Sequence, residues 1–184
     1  MNSRHDTPEA VLDFWFKETT PKQWWNKAED FDRLVESRFN DLLHAARRCE
    51  LYTWRETAGG RLAEIIVLDQ FSRNIYRDQA QAFASDALAL GLAQSAIAAK
   101  ADLELDLAQR AFLYMPYMHS ESPLIHVVAV SLFSQEGMGA NFEFELRHKA
   151  IVDRFGRYPH RNAILGRSST PEEIEFLKTP GSSF

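Results

Sequence analysis

The sequence predicts an all-α protein built from stacked antiparallel helix pairs. Three observations carry this expectation. Apolar residues recur at three- and four-residue spacing through almost every segment. No segment sustains the alternation of a half-buried strand. Proline-led caps mark several helix starts. The chain has 184 residues, 45% hydrophobic and 26% charged. That is ordinary composition for one globular domain, and a single helical domain over residues 1–184 is expected.

Thr7-Pro8-Glu9 reads as a cap followed by proline at the first helical position. The helix behind it carries Val11, Leu12, Phe14, Trp15 and Phe16. Pro21 opens a short piece holding Trp24 and Trp25. Residues 27–48 place Phe31, Leu34, Val35, Phe39, Leu42 and Leu43 at helical spacing among charges. Gly59-Gly60 is expected to break the chain before a helix over about 61–77. Within it, Ile65 to Leu68 would suit a short buried strand, but the flanks continue the helical pattern. Residues 83–99 form an alanine- and leucine-rich helix with Gly91 inside. Further helices are expected over about 106–115, 123–135 and 141–155. Pro116 should end or kink the first, and Ser122 should cap the second ahead of Pro123. Thr170-Pro171-Glu172-Glu173 is a capping box opening a last helix over 171–178. Short loops between mid-length helices favour antiparallel pairing.

Net charge is −5, which disfavours nucleic-acid binding by charge alone. The charge is uneven. Residues 145–167 hold Arg147, Lys149, Arg154, Arg157, Arg161 and Arg167 against only Glu145 and Asp153. A basic segment in an acidic body implies intramolecular pairing, an anionic ligand site, or both. The single cysteine, Cys49, supports no disulfide framework, fits a reducing compartment, and is expected as a small core filler. MNSRHDTPEA lacks the apolar stretch of a signal peptide. The longest apolar run, Leu124 to Phe133, is too short to span a bilayer. A cytoplasmic protein without membrane or nucleic-acid partners is expected.

Three constellations carry chemistry. On the helix over 61–77, Asp69, Gln70, Arg73, Asn74 and Arg77 form a polar stripe on an otherwise apolar rod. It is either a network locking helices together or the wall of a ligand pocket. His119, Ser120 and Glu121 stand just before a proline-led helix. They are either loop hydrogen-bonding groups or an acid–base pair at a helix N-terminus. The third is FGRYPHRNAILGR, 155–167, which crowds Arg157, His160, Arg161, Asn162 and Arg167 around Pro159. Bidentate donors and an imidazole grip carboxylates and phosphates, though the same groups also cap helix ends. His148 joins them from an apolar face with Phe144, Ile151, Val152 and Phe155, where a satisfied core histidine is the simpler reading. No HExxH, paired cysteines, EF-hand loop, P-loop or GxGxxG is present, so neither metal nor cofactor is expected. Trp24, Trp25 and Trp54 read as core anchors.

The blocks VLDFWF (11–16), LDQFSRNIYR (68–77), AFASDALAL (82–90), FLYMPYMHSES (112–122), RFGRYPHRNAILGRSSTPEE (154–173) and the terminal PGSSF resemble an uncharacterised bacterial family, domain of unknown function 924. The resemblance runs nearly end to end. It implies a tetratricopeptide-like fold of stacked helix hairpins and no established activity. The leading expectation is a helical binding module. It would take a small anionic ligand or an acidic peptide in a pocket lined by Arg73, Arg77, His119, Arg157, His160 and Arg161. Asp69, Asn74, Ser120, His148 and Asn162 would complete the set. The alternative is a hydrolase or transferase acting on a phosphorylated or carboxylated metabolite, with His119, Glu121 and His160 as catalytic candidates. A third reading makes the motifs a structural network with no ligand.

Overall fold

A computed structural model describes residues 6–184; the first five residues of MNSRHDTPEA lie outside them. The described residues are mostly helical, with no strand among them, as the periodicity predicts. They form two compact units. The first comprises the chain up to Arg77 together with Gln81–Pro116. The second comprises Asp78–Ala80 and Tyr117–Phe184.

In the first unit, helix α1 (Pro8–Asp13) starts on Thr7, whose hydroxyl accepts from Ala10 N at 3.2 Å. It widens into a π turn over Phe14–Glu18. Helices α2 (Pro21–Trp25) and α3 (Glu29–Arg47) follow. Helix α4 (Ala58–Ile66) runs through a second π turn, Val67–Phe71, into α5 (Ser72–Ile75). Both π turns end on a hydroxyl that takes up a carbonyl four residues back. Thr19 Oγ1 donates to Trp15 O at 2.5 Å, and Ser72 Oγ to Leu68 O at 2.7 Å. The widened ladder frees a carbonyl, and a short side chain satisfies it.

Gly59 and Gly60 do not break the chain, contrary to the expectation above. They lie in the first turn of α4, with Thr57 capping Gly60 N at 3.0 Å. A Cβ on Gly60 would fall 1.9 Å from Trp54 O, so only hydrogen fits there. Helices α6 (Asp86–Ala98) and α7 (Leu107–Met118) follow, and α7 passes through Pro116 instead of ending there. The core is aromatic. Phe39 stacks on Phe71 at 4.6 Å, and Trp15 meets Phe112 edge-on at 5.5 Å. Trp25 is not a core anchor; it is 58% exposed. Cys49 is exposed as well, not a core filler. It sits at φ 59 just past α3, where its N–H and that of Glu50 close the helix end on Ala46 O and Ala45 O.

In the second unit, α8 (Pro123–Phe133) and α9 (Gly139–Phe155) form a hairpin. His126, seven residues before the end of α8, touches Glu145, six residues after the start of α9, so the helices run antiparallel. Ser122 occupies the cap position of α8, but its side chain makes no cap bond; its carbonyl accepts from Ile125 and His126 instead. Gly156, at φ 68, ends α9. A short 3₁₀ turn, Pro159–Arg161, leads to α10 (Pro171–Phe176). The expected capping box is present. Thr170 N donates to Glu173 Oε2 at 2.7 Å, and Glu173 N to Thr170 Oγ1 at 3.2 Å.

Two surface substitutions of opposite character should both stabilise the chain. A Cβ at Gly91, in the exposed interior of α6, meets nothing within 4 Å. Gly91→Ala should therefore raise unfolding free energy by about 1 kcal/mol. Lys100 holds φ 59 past the end of α6. Lys100→Gly relieves that left-handed strain and should add roughly 0.5–1 kcal/mol. Urea unfolding midpoints that fall in either variant would contradict the assignment.

Candidate functional site

The polar stripe of the first unit is joined to carboxylates from neighbouring helices. Arg73 forks onto Asp86 of α6 at 2.9 and 2.9 Å. It also reaches Asp69, its partner at i−4, at 3.2 Å. Arg77 forks onto Asp32 of α3 at 2.5 and 2.7 Å, and Asn74 donates to the same carboxylate at 2.8 Å. Gln70 donates to Asp69 Oδ2 at 2.6 Å. The π turn rotates Asp69 and Gln70 against the residues that follow, so a uniform helical wheel misplaces the two halves of the stripe.

The second unit holds the other two constellations. Arg157 forks onto Glu173 at 2.6 and 2.8 Å, and Asn162 Nδ2 reaches the same carboxylate at 3.3 Å. The Arg157 hydrogen bonds, with the Thr170 N–H and Asn162 amide, outweigh burial and hold Glu173 down to about 2. Arg167 forks onto Glu121 at 2.6 and 2.8 Å and donates to Asn162 Oδ1 at 3.1 Å. Glu121 also accepts from Tyr158 N at 2.8 Å. Burial raises Glu121, but Arg167, the Tyr158 N–H and the nearby Arg161 together leave it below its ordinary value. These pairs hold the 157–167 segment in place.

What remains gathers around one buried phenol. Tyr158 donates its hydroxyl to Met118 O at 2.6 Å. Its ring centroid lies 6.2 Å from that of His126, 5.8 Å from His148 and 5.7 Å from His160. The Arg161 guanidinium lies over the ring at 4.6 Å. Phe184 closes the group. Its ring centroid is 3.7 Å from His148, 4.9 Å from His160 and 5.5 Å from Tyr158.

His126 and Glu145 were not among the residues expected at a site. Both are fully buried, and His126 Nδ1 lies 2.7 Å from Glu145 Oε1. His126 Nε2 faces Ser120 O at 2.8 Å. A carbonyl only accepts, so Nε2 carries hydrogen, and one further proton bridges Nδ1 and Oε1. Burial raises Glu145, against the opposing His126 hydrogen bond. Its second oxygen is buried without a hydrogen-bond partner, which a neutral carboxyl tolerates better than a carboxylate. The only sequence signals were a histidine inside the apolar run of α8 and a glutamate in step with the buried face of α9. That face is centred on Glu145, His148 and Val152; Phe144, expected on it, is exposed.

His148 is 5% exposed and donates Nδ1–H to Phe144 O at 2.7 Å. Burial lowers it to about 3; the Phe144 bond opposes this, and His119, His126 and Arg161 push it further down. His148 is therefore a neutral imidazole with Nε2 as an acceptor. His119 and Ser120 are half-buried beside it; Ser120 contributes its carbonyl to His126 and its hydroxyl to Ser122 N at 3.1 Å. Among the described residues no group of three or more His, Cys, Asp or Glu side chains is placed to hold a metal ion. No helix among them is long and apolar enough to cross a membrane.

Over residues 11–181 the chain matches the family described as bacterial protein of unknown function, DUF924. It belongs to that family. A solved structure from Agrobacterium tumefaciens, also of a protein of unknown function, is 39% identical with a TM-score of 0.89. The match covers 93% of this chain and 96% of that one. No curated protein matches the sequence. The blocks at 112–122 and 154–173 supply Met118, Tyr158, His160 and Arg161, and the terminal PGSSF supplies Phe184, while His126 and His148 lie outside them.

His148 gives a pH signature. The unfolded chain takes up a proton near 6.5 that the native ring refuses until about 3. Stability from this group is thus lost as pH falls from 6.5 towards 3. The slope is about 1.4 kcal/mol per pH unit for the one proton. Urea unfolding between pH 6.5 and 5 should show His148→Leu losing that one-proton slope relative to wild type. An unchanged slope would contradict the neutral ring.

Proposed function

We propose that this protein is a cytoplasmic helical binding module for a small anionic ligand. The ligand would be held in the second unit by Arg161, His119 and His160, with the neutral His148 beside them. The observation that carries this reading is the gathering of the Arg161 guanidinium, His148 and His160 on the one ring of Tyr158. A cationic group over an aromatic face, in a largely desolvated setting, binds anions more strongly than the same group in water. Arg157 and Arg167 are matched fork to carboxylate and hold the segment in place. On this reading Asp69, Arg73, Asn74 and Arg77 are architecture of the first unit. The exposed, unbridged Cys49 suits a reducing compartment.

A hydrolase or transferase draws less support. Glu121 is engaged by Arg167 and the Tyr158 N–H, and the His126–Glu145 pair is sealed from solvent. Neither carboxylate is placed to work on a substrate from solution.

Titration calorimetry with inorganic phosphate and with a small dicarboxylate tests the reading. Arg161→Gln should weaken binding by roughly tenfold or more, as loss of a charged hydrogen bond implies. Arg157→Ala should lower stability by at least about 1 kcal/mol. Because the Arg161 guanidinium is buried, thermal unfolding of the Arg161→Gln protein establishes that it is folded before its affinity is read. Absence of binding to the wild type, or an Arg161→Gln protein whose affinity is unchanged, would remove the proposal.

A further inference from the structure

Phe184 is the outer wall of the group around Tyr158, yet half of it faces solvent. Its ring lies 34° from the plane of His148 and close to perpendicular to Tyr158, at 89°, and His160, at 76°. Three aromatic groups thus surround one phenyl ring: His148 tilted over it, and Tyr158 and His160 near-perpendicular to it. The geometry suits a flat ring, because edge-to-face and offset contacts complement the charge distribution of an aromatic system. The walls are well fixed. His148 is tied to Phe144 O and Tyr158 to Met118 O. The occupant is less so, since Phe184 is 52% exposed. The segment before it is anchored at Ser182, which is buried and donates to Leu177 O at 3.1 Å. Only Ser183 lies between that anchor and the ring, so rotation at one residue moves the phenyl out.

We infer that the box formed by His148, Tyr158 and His160 is a binding subsite for an aromatic ring, and that Phe184 is its displaceable internal occupant. The inference rests on the anionic site proposed above and names its ligand class: a small aryl acid, such as an aryl phosphate or carboxylate. The ring replaces that of Phe184, and the acid group lies against the cationic side of the cluster, where Arg161 covers Tyr158. An internal occupant lowers apparent affinity by the fraction of molecules in which the box is empty. Emptying the box should therefore favour a ligand that has a ring and leave a ligand without one indifferent.

The test uses the full chain, wild type and Phe184→Ala, with three probes: phenyl phosphate, phenol and inorganic phosphate. Phe184 is surface-exposed, and unchanged thermal unfolding establishes that the variant is folded. Phe184→Ala should bind phenyl phosphate and phenol about tenfold more tightly than wild type. Inorganic phosphate should bind the two proteins within about twofold of each other. If neither ring-bearing probe gains affinity in Phe184→Ala, or neither binds at all, the aromatic subsite is overturned, whatever phosphate does. If inorganic phosphate binds neither protein while phenol still gains, the subsite stands and the anionic reading of the previous subsection falls.

Discussion

A single proton shared by two buried side chains organises the second unit. His126 links three segments at once: Nε2 to the Ser120 carbonyl, Nδ1 to Glu145 on α9, and the ring edge to Tyr158. Loss of that proton would leave a charge in a sealed interior, which is strongly unfavourable without compensation. The bridge therefore fixes the pairing of α8 with α9 and the path of the loop before α8. It also supports the phenol around which His148, His160 and Arg161 collect.

The arginines of the 157–167 segment divide by geometry, not by residue type. Arg157 and Arg167 lie fork to fork with Glu173 and Glu121, joining residues distant along the chain into a rigid frame. Arg161 instead lies across an aromatic face. The stripe of the first unit resembles the frame, with Asp32 and Asp86 arriving from α3 and α6. One residue type thus meets two kinds of surface in this segment, the carboxylate fork and the aromatic face.

This explains how much the sequence reveals. Helical periodicity and the Thr7 and Thr170 caps are local and can be read directly. The two π turns are not, because one inserted residue leaves composition and spacing almost unchanged. Gly60 reads as a breaker until the Trp54 carbonyl is seen at its Cα. The residues around Tyr158 are legible as unusual types in an unusual density. The pairings of the arginines are not, since Arg167 meets Glu121 across 46 positions and, in the first unit, Arg77 meets Asp32 across 45. His126 and Glu145 are the hardest to find. Each lies in a segment whose general character, apolar for one and charged for the other, hides a single buried polar group.

Asp32 illustrates what such pairing imposes on substitution. Its carboxylate receives two donors from Arg77 and one from Asn74, tying α3 to the end of α5 and the residues just past it. A neutral residue at position 32 removes an acceptor from both donors at once, whereas a change at position 77 leaves the acid to Asn74 alone. The energetic effects at these positions are therefore interdependent, although nothing in their neighbourhood along the chain would mark them as kin.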